Sequence, residues 1–157
     1  MNAGKRGFRY VLEPVALTRQ WALDALLVTL GECNTALAAR MTERDALRAQ
    51  LAQASSEWTA LGRGGEPISV DRFALVARYV GDCGERLQQM DLAVQHLQQD
   101  CDAALDQVVT ARRAVDAMDE HRGAMWREFL KDRQSGEFKV ADDLWNGKQT
   151  GTVGHDD

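Results

Sequence analysis

The residues of this chain that are best suited to chemistry are three histidines and three cysteines. His96, His121 and His155 stand far apart, and no nucleophile, metal-ligand or phosphate-loop motif accompanies them. His121 next to Glu120 is typical of a solvated pair on a helix surface. The sequence therefore predicts neither an enzyme nor a bound cofactor or metal.

The cysteines are Cys33, Cys83 and Cys101. All three fall on predicted helical seams, where cysteine behaves as a small apolar residue. An odd number of cysteines at wide spacing predicts reduced thiols in a cytosolic protein. A contact between Cys33 and Cys101 is geometrically feasible, but filling of the core is the favoured role.

Arginine and tryptophan form the second group of residues that could make a functional site, because these residue types anchor protein interfaces. They gather where the two chain ends are predicted to meet. They predict a partner-binding surface that comprises Arg9, Arg19, Trp21, Arg112, Arg113, Arg122, Trp126 and Arg127. The alternative is that the N-terminal segment packs over this surface, or that these are scattered exposed side chains.

Charge and composition narrow the classes of partner. The 157-residue chain has a net charge of -5, and acidic residues are interspersed among the arginines, which argues against nucleic acid or a membrane surface as partner. Asp24 and Glu32 break the longest apolar stretch, so no transmembrane segment is expected. The N-terminus lacks the apolar run of a secretory signal. Two prolines and 6% aromatic residues favour long helices.

Two such helices would position these residues. Helix one is predicted to start near Pro14, and an earlier start with a kink at Pro14 is the alternative. "GRGGEP" ends it, and Ser69 or Asp71 can cap helix two. Helix two is predicted to end near Gln134.

Apolar residues at alternating spacings of three and four make a coiled-coil seam along both helices. The predicted fold is all-α, a long two-helix antiparallel coiled-coil hairpin. Its divisions are an N-terminal segment (1–13), the hairpin (14–145, with the turn at 62–68) and a disordered tail (146–157). The predicted core comprises Leu23, Leu30, Leu37, Leu51, Trp58, Phe73, Val80, Leu87, Val94, Leu97, Val108 and Val115.

Folding back about the turn predicts which residues face each other. Trp58 should lie near Phe73, and Cys33 near Cys101, with residue 14 opposite residue 117. The stretch "MDEHRGAMWREFLKDR" then extends beyond helix one and forms an exposed tip.

Arg40 and Arg44 occupy seam positions of helix one. Their charged ends could reach Asp91, Glu85 or solvent, or they could control register by penalising wrong pairings. The sequence leaves both readings open.

The chain resembles the type III secretion stalk family, which comprises the flagellar FliJ protein and its injectisome counterparts of the YscO/SctO and Hrp types. The resemblance covers about residues 8–145. It rests on "FRYVLEPVALTRQWALDAL", on the helical hairpin and its size, and on "ARRAVDAMDEHRGAMWREFL" followed by "EFKVADDLW". The Gly-rich turn and tail depart from the family pattern and favour the plant-associated Hrp branch.

This resemblance implies a central-stalk protein, similar to part of the γ subunit of rotary ATPases. Its partners would be the hexameric export ATPase, the cytoplasmic domain of the export gate and, in some members, chaperones. The end that bears both termini would enter the ATPase ring, with Arg9, Arg19, Arg112, Arg113, Arg122, Trp126 and Arg127 as contacts. The implied location is the cytoplasm, peripheral to the inner membrane.

The main alternative is a self-assembling structural coiled coil with no ATPase partner. The extra apolar positions near the termini would then form a homo-oligomer interface, since exposed apolar patches often mark such surfaces.

Overall fold

The computed structural model describes residues 7–65, 67 and 69–150, with side chains up to 148. The protein is an all-α hairpin of two long helices that pack against each other, with no strand among the described residues. The predicted fold class is confirmed.

Helix α1 spans Glu13–Arg63. Glu13 places an acidic side chain in the first turn, where the helix dipole favours negative charge. Pro14 follows, in a turn whose N–H groups have no partner within the helix. At the other end Gly65 adopts φ 69°, the left-handed conformation that often follows a helix C-terminus.

Helix α2 spans Val70–Thr150. Ser69 caps it, because its hydroxyl oxygen accepts a hydrogen bond of 3.2 Å from the backbone N–H of Arg72. Of the two predicted caps, Ser69 is therefore the one used. Glu66 and Ile68, which belong to the predicted turn, lie outside the described residues.

The predicted end of helix two near Gln134 is wrong, as is the disordered tail for residues 146–150, because α2 continues to Thr150. Gly136 and Gly147 are tolerated inside the helix, at a cost of about 1 kcal/mol each relative to alanine. An ion pair of 3.1 Å between Arg133 and Glu137 spans the first glycine. The remaining tail, 151–157, lies outside the described residues.

The chain divides into two compact units, each containing a stretch of both helices: unit 1, residues 1–22 and 111–157, and unit 2, residues 23–110. The centre of unit 2 is an apolar cluster. Leu37, Val94 and Cys101 are buried there, with Cys33 and Leu97 packed against them. These are seam positions, so the heptad pattern positions the core.

Cys33 and Cys101 form a disulfide in unit 2, with Cα atoms 5.7 Å apart. The prediction of three reduced thiols is therefore wrong. The antiparallel register places the two seam cysteines opposite each other, within the Cα distance that a disulfide requires. Cys83 is the free cysteine and is buried.

The turn end of unit 2 brings Trp58 and Phe73 together, with ring centroids 4.2 Å apart, as the hairpin register predicted. Phe73 is nevertheless half exposed, so its assignment to the core is wrong. It lies in the first turn of α2, where Trp58 is the one ring among the described residues in contact with it. An aromatic pair of this kind closes the end of the seam without being buried.

The two seam arginines of helix α1 behave differently. Arg44 pairs with Asp45 at 2.8 Å and reaches Asp91 of α2 at 3.8 Å. The contact with Asp91 is one of those predicted for the charged ends of the seam arginines. Arg40 pairs instead with Glu43 in its own helix, at 2.9 Å. The Arg40 pair is exposed, and such pairs contribute about 0–1 kcal/mol. The Arg44 side chain is only 18% exposed, but its acidic partners are open to solvent.

The predicted core is buried to different degrees. Leu23, Leu37, Val94 and Val108 are buried, whereas Leu30, Leu51, Trp58, Val80, Leu87, Leu97 and Val115 are half-buried. Partial exposure is expected, because two helices cannot cover each other's full circumference. Four further seam residues are buried, namely Leu47, Cys83, Cys101 and Met118. Tyr10, which lies outside the heptad pattern, is buried too.

Helix α1 contains an 18-residue window of mean hydropathy 1.2 with at most two charged residues, which by length and composition alone could cross a membrane. A core helix of a soluble protein meets the same criterion. The absence of a transmembrane segment stays a prediction.

Candidate partner-binding site

The predicted partner-binding residues all belong to unit 1. There residues 7–12, the described part of the N-terminal segment that precedes helix α1, pack on helix α2. The Phe8 ring lies 5.1 Å from Trp126 and 5.5 Å from Phe129, and the latter two rings are 5.7 Å apart. Edge-on and tilted pairs at these distances contribute about 0.5–1.5 kcal/mol each beyond the area they bury. The three rings anchor the N-terminal segment.

Tyr10 is the second anchor of this segment and is buried. Its hydroxyl donates to the Met118 carbonyl oxygen at 3.4 Å and lies 3.0 Å from Nδ1 of His121. A buried phenol without such partners would cost free energy, so these contacts hold the ring in place. His121 is exposed, as the prediction of a solvated residue has it, but its hydrogen-bond partner among the described residues is Tyr10 rather than Glu120.

Arg122 connects the segment to the start of helix α1. Its Nη2 atom is 2.6 Å from a carboxylate oxygen of Glu13, and its guanidinium carbon lies 5.2 Å from the centroid of the Tyr10 ring. The Arg122 side chain is 39% exposed, but its Nε is buried and has no hydrogen-bond partner among the described residues. The charge of Arg122 is thus engaged within unit 1.

An open cavity of about 400 Å³ remains between the N-terminal segment and α2. Its lining comprises Phe8, Tyr10, Glu13, Asp119, Arg122, Gly123 and Trp126. The lining combines three aromatic side chains with two carboxylates and one guanidinium. Among the described residues, no three histidine, cysteine or acidic side chains come together as metal ligands.

The predicted site residues fall into two groups. Arg122 and Trp126 are half-buried, so their prediction as an exposed tip is wrong, because the N-terminal segment covers them. The exposed members are Arg9, Arg19, Trp21, Arg112, Arg113 and Arg127. Arg19 donates to the backbone oxygen of Ala114 at 3.3 Å. The exposed part of the predicted site therefore consists of these six residues.

Phe8, Tyr10 and Glu13 are structural members of the site that the sequence did not single out. Phe8 and Tyr10 are two residues apart, and in extended chain such residues point to the same side. That alternation is the signal that could have identified them. It is short, and it lies outside the heptad pattern.

Replacing Phe8 by alanine should loosen the N-terminal segment, because it removes both aromatic contacts to α2. We expect docking to weaken by about 2 kcal/mol, close to a 30-fold decrease in the equilibrium constant between the docked and the undocked segment. Trypsin cleavage after Arg9, which is exposed, should accelerate accordingly. Val11→Ala is the matched control, since Val11 is 85% exposed. An unchanged cleavage rate in Phe8→Ala would contradict the anchoring role.

Fold and site together define an α-helical hairpin that carries an exposed arginine-rich surface beside the packed N-terminal residues 7–12. Comparison of the chain with protein-family models, with curated proteins and with solved structures gave no match.

Proposed function

We propose that this protein is a central-stalk component of a bacterial type III secretion export apparatus. It would bind the hexameric export ATPase and link it to the cytoplasmic domain of the export gate, in the cytoplasm at the inner membrane. The observation that supports ATPase binding is the exposed cationic surface of unit 1, formed by Arg9, Arg112, Arg113 and Arg127. No ion pair connects these four to another described residue.

Exposed guanidinium groups suit a partner that offers carboxylates. Arginine makes two parallel hydrogen bonds to a carboxylate, and complementary charge raises the rate and specificity of association. Arg122 is already paired with Glu13, so its role would be to hold the N-terminal segment that carries Arg9. The ATPase-binding surface would then include both chain segments of unit 1.

The action on the ATPase would be mechanical. A single asymmetric ligand inside a sixfold ring cannot contact all six subunits equally. Its differential contacts would bias the nucleotide states of the subunits, which amounts to a coupling free energy between the stalk and the ATP sites. The link to the export gate and the escort of chaperones rest on the family resemblance alone.

The test is ATP hydrolysis by the export ATPase of the same genome, measured with and without the full chain. We expect stimulation by the native protein and at least about a tenfold loss of apparent affinity when Arg112, Arg113 and Arg127 are all replaced by glutamate. The matched control replaces Arg63, Arg72 and Arg78, exposed arginines of unit 2, and so changes the net charge equally. Unchanged hydrolysis together with separate elution of the two proteins would refute the proposal.

A further inference from the structure

The cavity between the N-terminal segment and helix α2 has two chemically different ends. Asp119 and Trp126 both belong to its lining, and Gly123 lies between them on α2. Residues seven positions apart share one face of a helix and are about 10 Å apart along its axis. Gly123 has no side chain to fill the space between them. The cavity therefore offers a carboxylate at one end and an indole ring at the other.

The aromatic end is formed by Trp126 together with Phe8. Their rings meet edge-on, with centroids 5.1 Å apart, and both side chains are half-buried, so part of their surface remains open. Such surface favours contact with the alkyl part of a ligand. The face of an indole ring also attracts a nearby cation. This end therefore suits a ligand that is both apolar and positively charged.

The charges in the lining are not balanced. Glu13 and Arg122 are engaged with each other at 2.6 Å, and the guanidinium also lies 5.2 Å from the centroid of the Tyr10 ring. Asp119 is exposed, and no ion pair connects it to another described residue. One carboxylate in the cavity is thus left without a countercharge from the described residues.

We propose that this cavity binds an organic monocation, namely an alkyl chain that ends in an ammonium group. The ammonium group pairs with the Asp119 carboxylate, and the alkyl chain passes Gly123 towards the rings of Phe8 and Trp126. The volume of about 400 Å³ lies within the range of about 300–1,000 Å³ that is usual for small-ligand sites. A single charge fits best, because the second carboxylate of the lining, Glu13, is already paired.

Two sources present this chemical group: a lysine side chain of a partner protein and a free small amine. The proposal does not depend on the proposed function, because Asp119 and Phe8 lie outside the surface assigned to the ATPase. The cavity binds its cation whether or not an ATPase binds the exposed arginines.

Titration of the nitrogen-labelled full chain with n-butylammonium, followed by NMR, tests the site. The signal to follow is the indole N–H of Trp126, which a Trp126→Phe variant assigns. We expect a saturating shift with a Kd of about 1–10 mM, as is reasonable for so small a ligand. Trp58, which belongs to unit 2, is the internal reference and should not shift.

Neutral and anionic ligands of the same length test the need for a positive charge. n-Butanol and butyrate should bind at least about threefold more weakly than n-butylammonium, since neither can pair with a carboxylate in the same way. The absence of a saturating shift with n-butylammonium, or equally tight binding of n-butanol, would overturn the proposal.

Substitution of Asp119 tests its role directly. Asp119→Asn keeps the shape of the side chain and removes its charge, so the Kd should rise by roughly three- to fivefold. Asp116→Asn is the matched control, because Asp116 is exposed one turn earlier on α2 and lies outside the lining. Asp119→Glu, which retains the charge, should bind like the native chain. An Asp119→Asn variant that binds as tightly as the native chain would refute the assignment.

A peptide-like ligand distinguishes the two sources of the cation. Nα-acetyl-lysine N-methylamide presents the same ammonium group on a side chain flanked by peptide groups. An affinity similar to that of n-butylammonium assigns the site to a lysine of a partner protein. Binding of n-butylammonium alone assigns it to a free amine, because the cavity then excludes the flanking peptide groups.

Discussion

Reducing the disulfide between Cys33 and Cys101 is expected to lower the free energy of unfolding by about 4 kcal/mol. The two cysteines are separated by 68 positions, so the bond closes a long loop. In the chain-entropy account, breaking it returns that closure entropy to the unfolded chain. The loss is large because the stabilisation grows with the length of the loop that the bond closes.

The measurement is denaturant unfolding of the native chain with and without dithiothreitol. The double variant Cys33→Ala, Cys101→Ala is the control: it should be insensitive to the reductant, because Cys83 has no disulfide to lose. Thiol titration of the unfolded, unreduced chain should find one reactive group. The bond would be shown to be absent if three thiols titrate, or if the reductant leaves the free energy of unfolding of the native chain unchanged.

Leu23→Ala should cost about 3 kcal/mol of unfolding free energy. Leu23 is 1% exposed, the most completely buried large side chain described. Truncation removes the transfer free energy of the lost methyl groups, and it also leaves a cavity that neighbouring side chains fill only in part. Equilibrium unfolding monitored by circular dichroism measures the loss.

Val28→Ala provides the comparison in the same unit. Val28 is 62% exposed and lies five residues further along helix α1. Its truncation should change stability by less than about 0.5 kcal/mol, as is usual for surface substitutions. Equal losses in the two variants would mean that burial on the seam does not determine stability here.

The hairpin could be predicted because the heptad pattern is a local property of the sequence. Once the turn is placed, simple counting along two antiparallel helices brings Trp58 to Phe73 and Cys33 to Cys101, and the structure contains both contacts. Whether two opposed thiols are oxidised is a different matter. Spacing determines their proximity and says nothing about their redox state.

The end of helix two could not be predicted from composition, because glycine has two roles that look alike in a sequence. Gly65 adopts the left-handed conformation that accompanies a helix end, whereas Gly136 continues the helix. The two glycines differ in their backbone angle φ, and contacts of neighbouring residues determine which conformation each glycine adopts. The Arg133–Glu137 pair is one such contact, and it becomes recognisable only after the helix is assumed.

The packing of the N-terminal segment was foreseen only as one of two alternatives. Its decisive contacts join residues more than a hundred positions apart, such as Tyr10 and His121. No periodic pattern links such positions, so the exposed arginines were identified but the covering of Trp126 was not.

The disulfide also has a topological consequence. Helix α1 ends at Arg63 and helix α2 begins at Val70, so the connection between them is short. A protease that cuts this connection would leave two polypeptides still joined by one covalent bond between Cys33 and Cys101. The nicked protein would migrate as a single species until reduced, and only then separate into its two helical fragments.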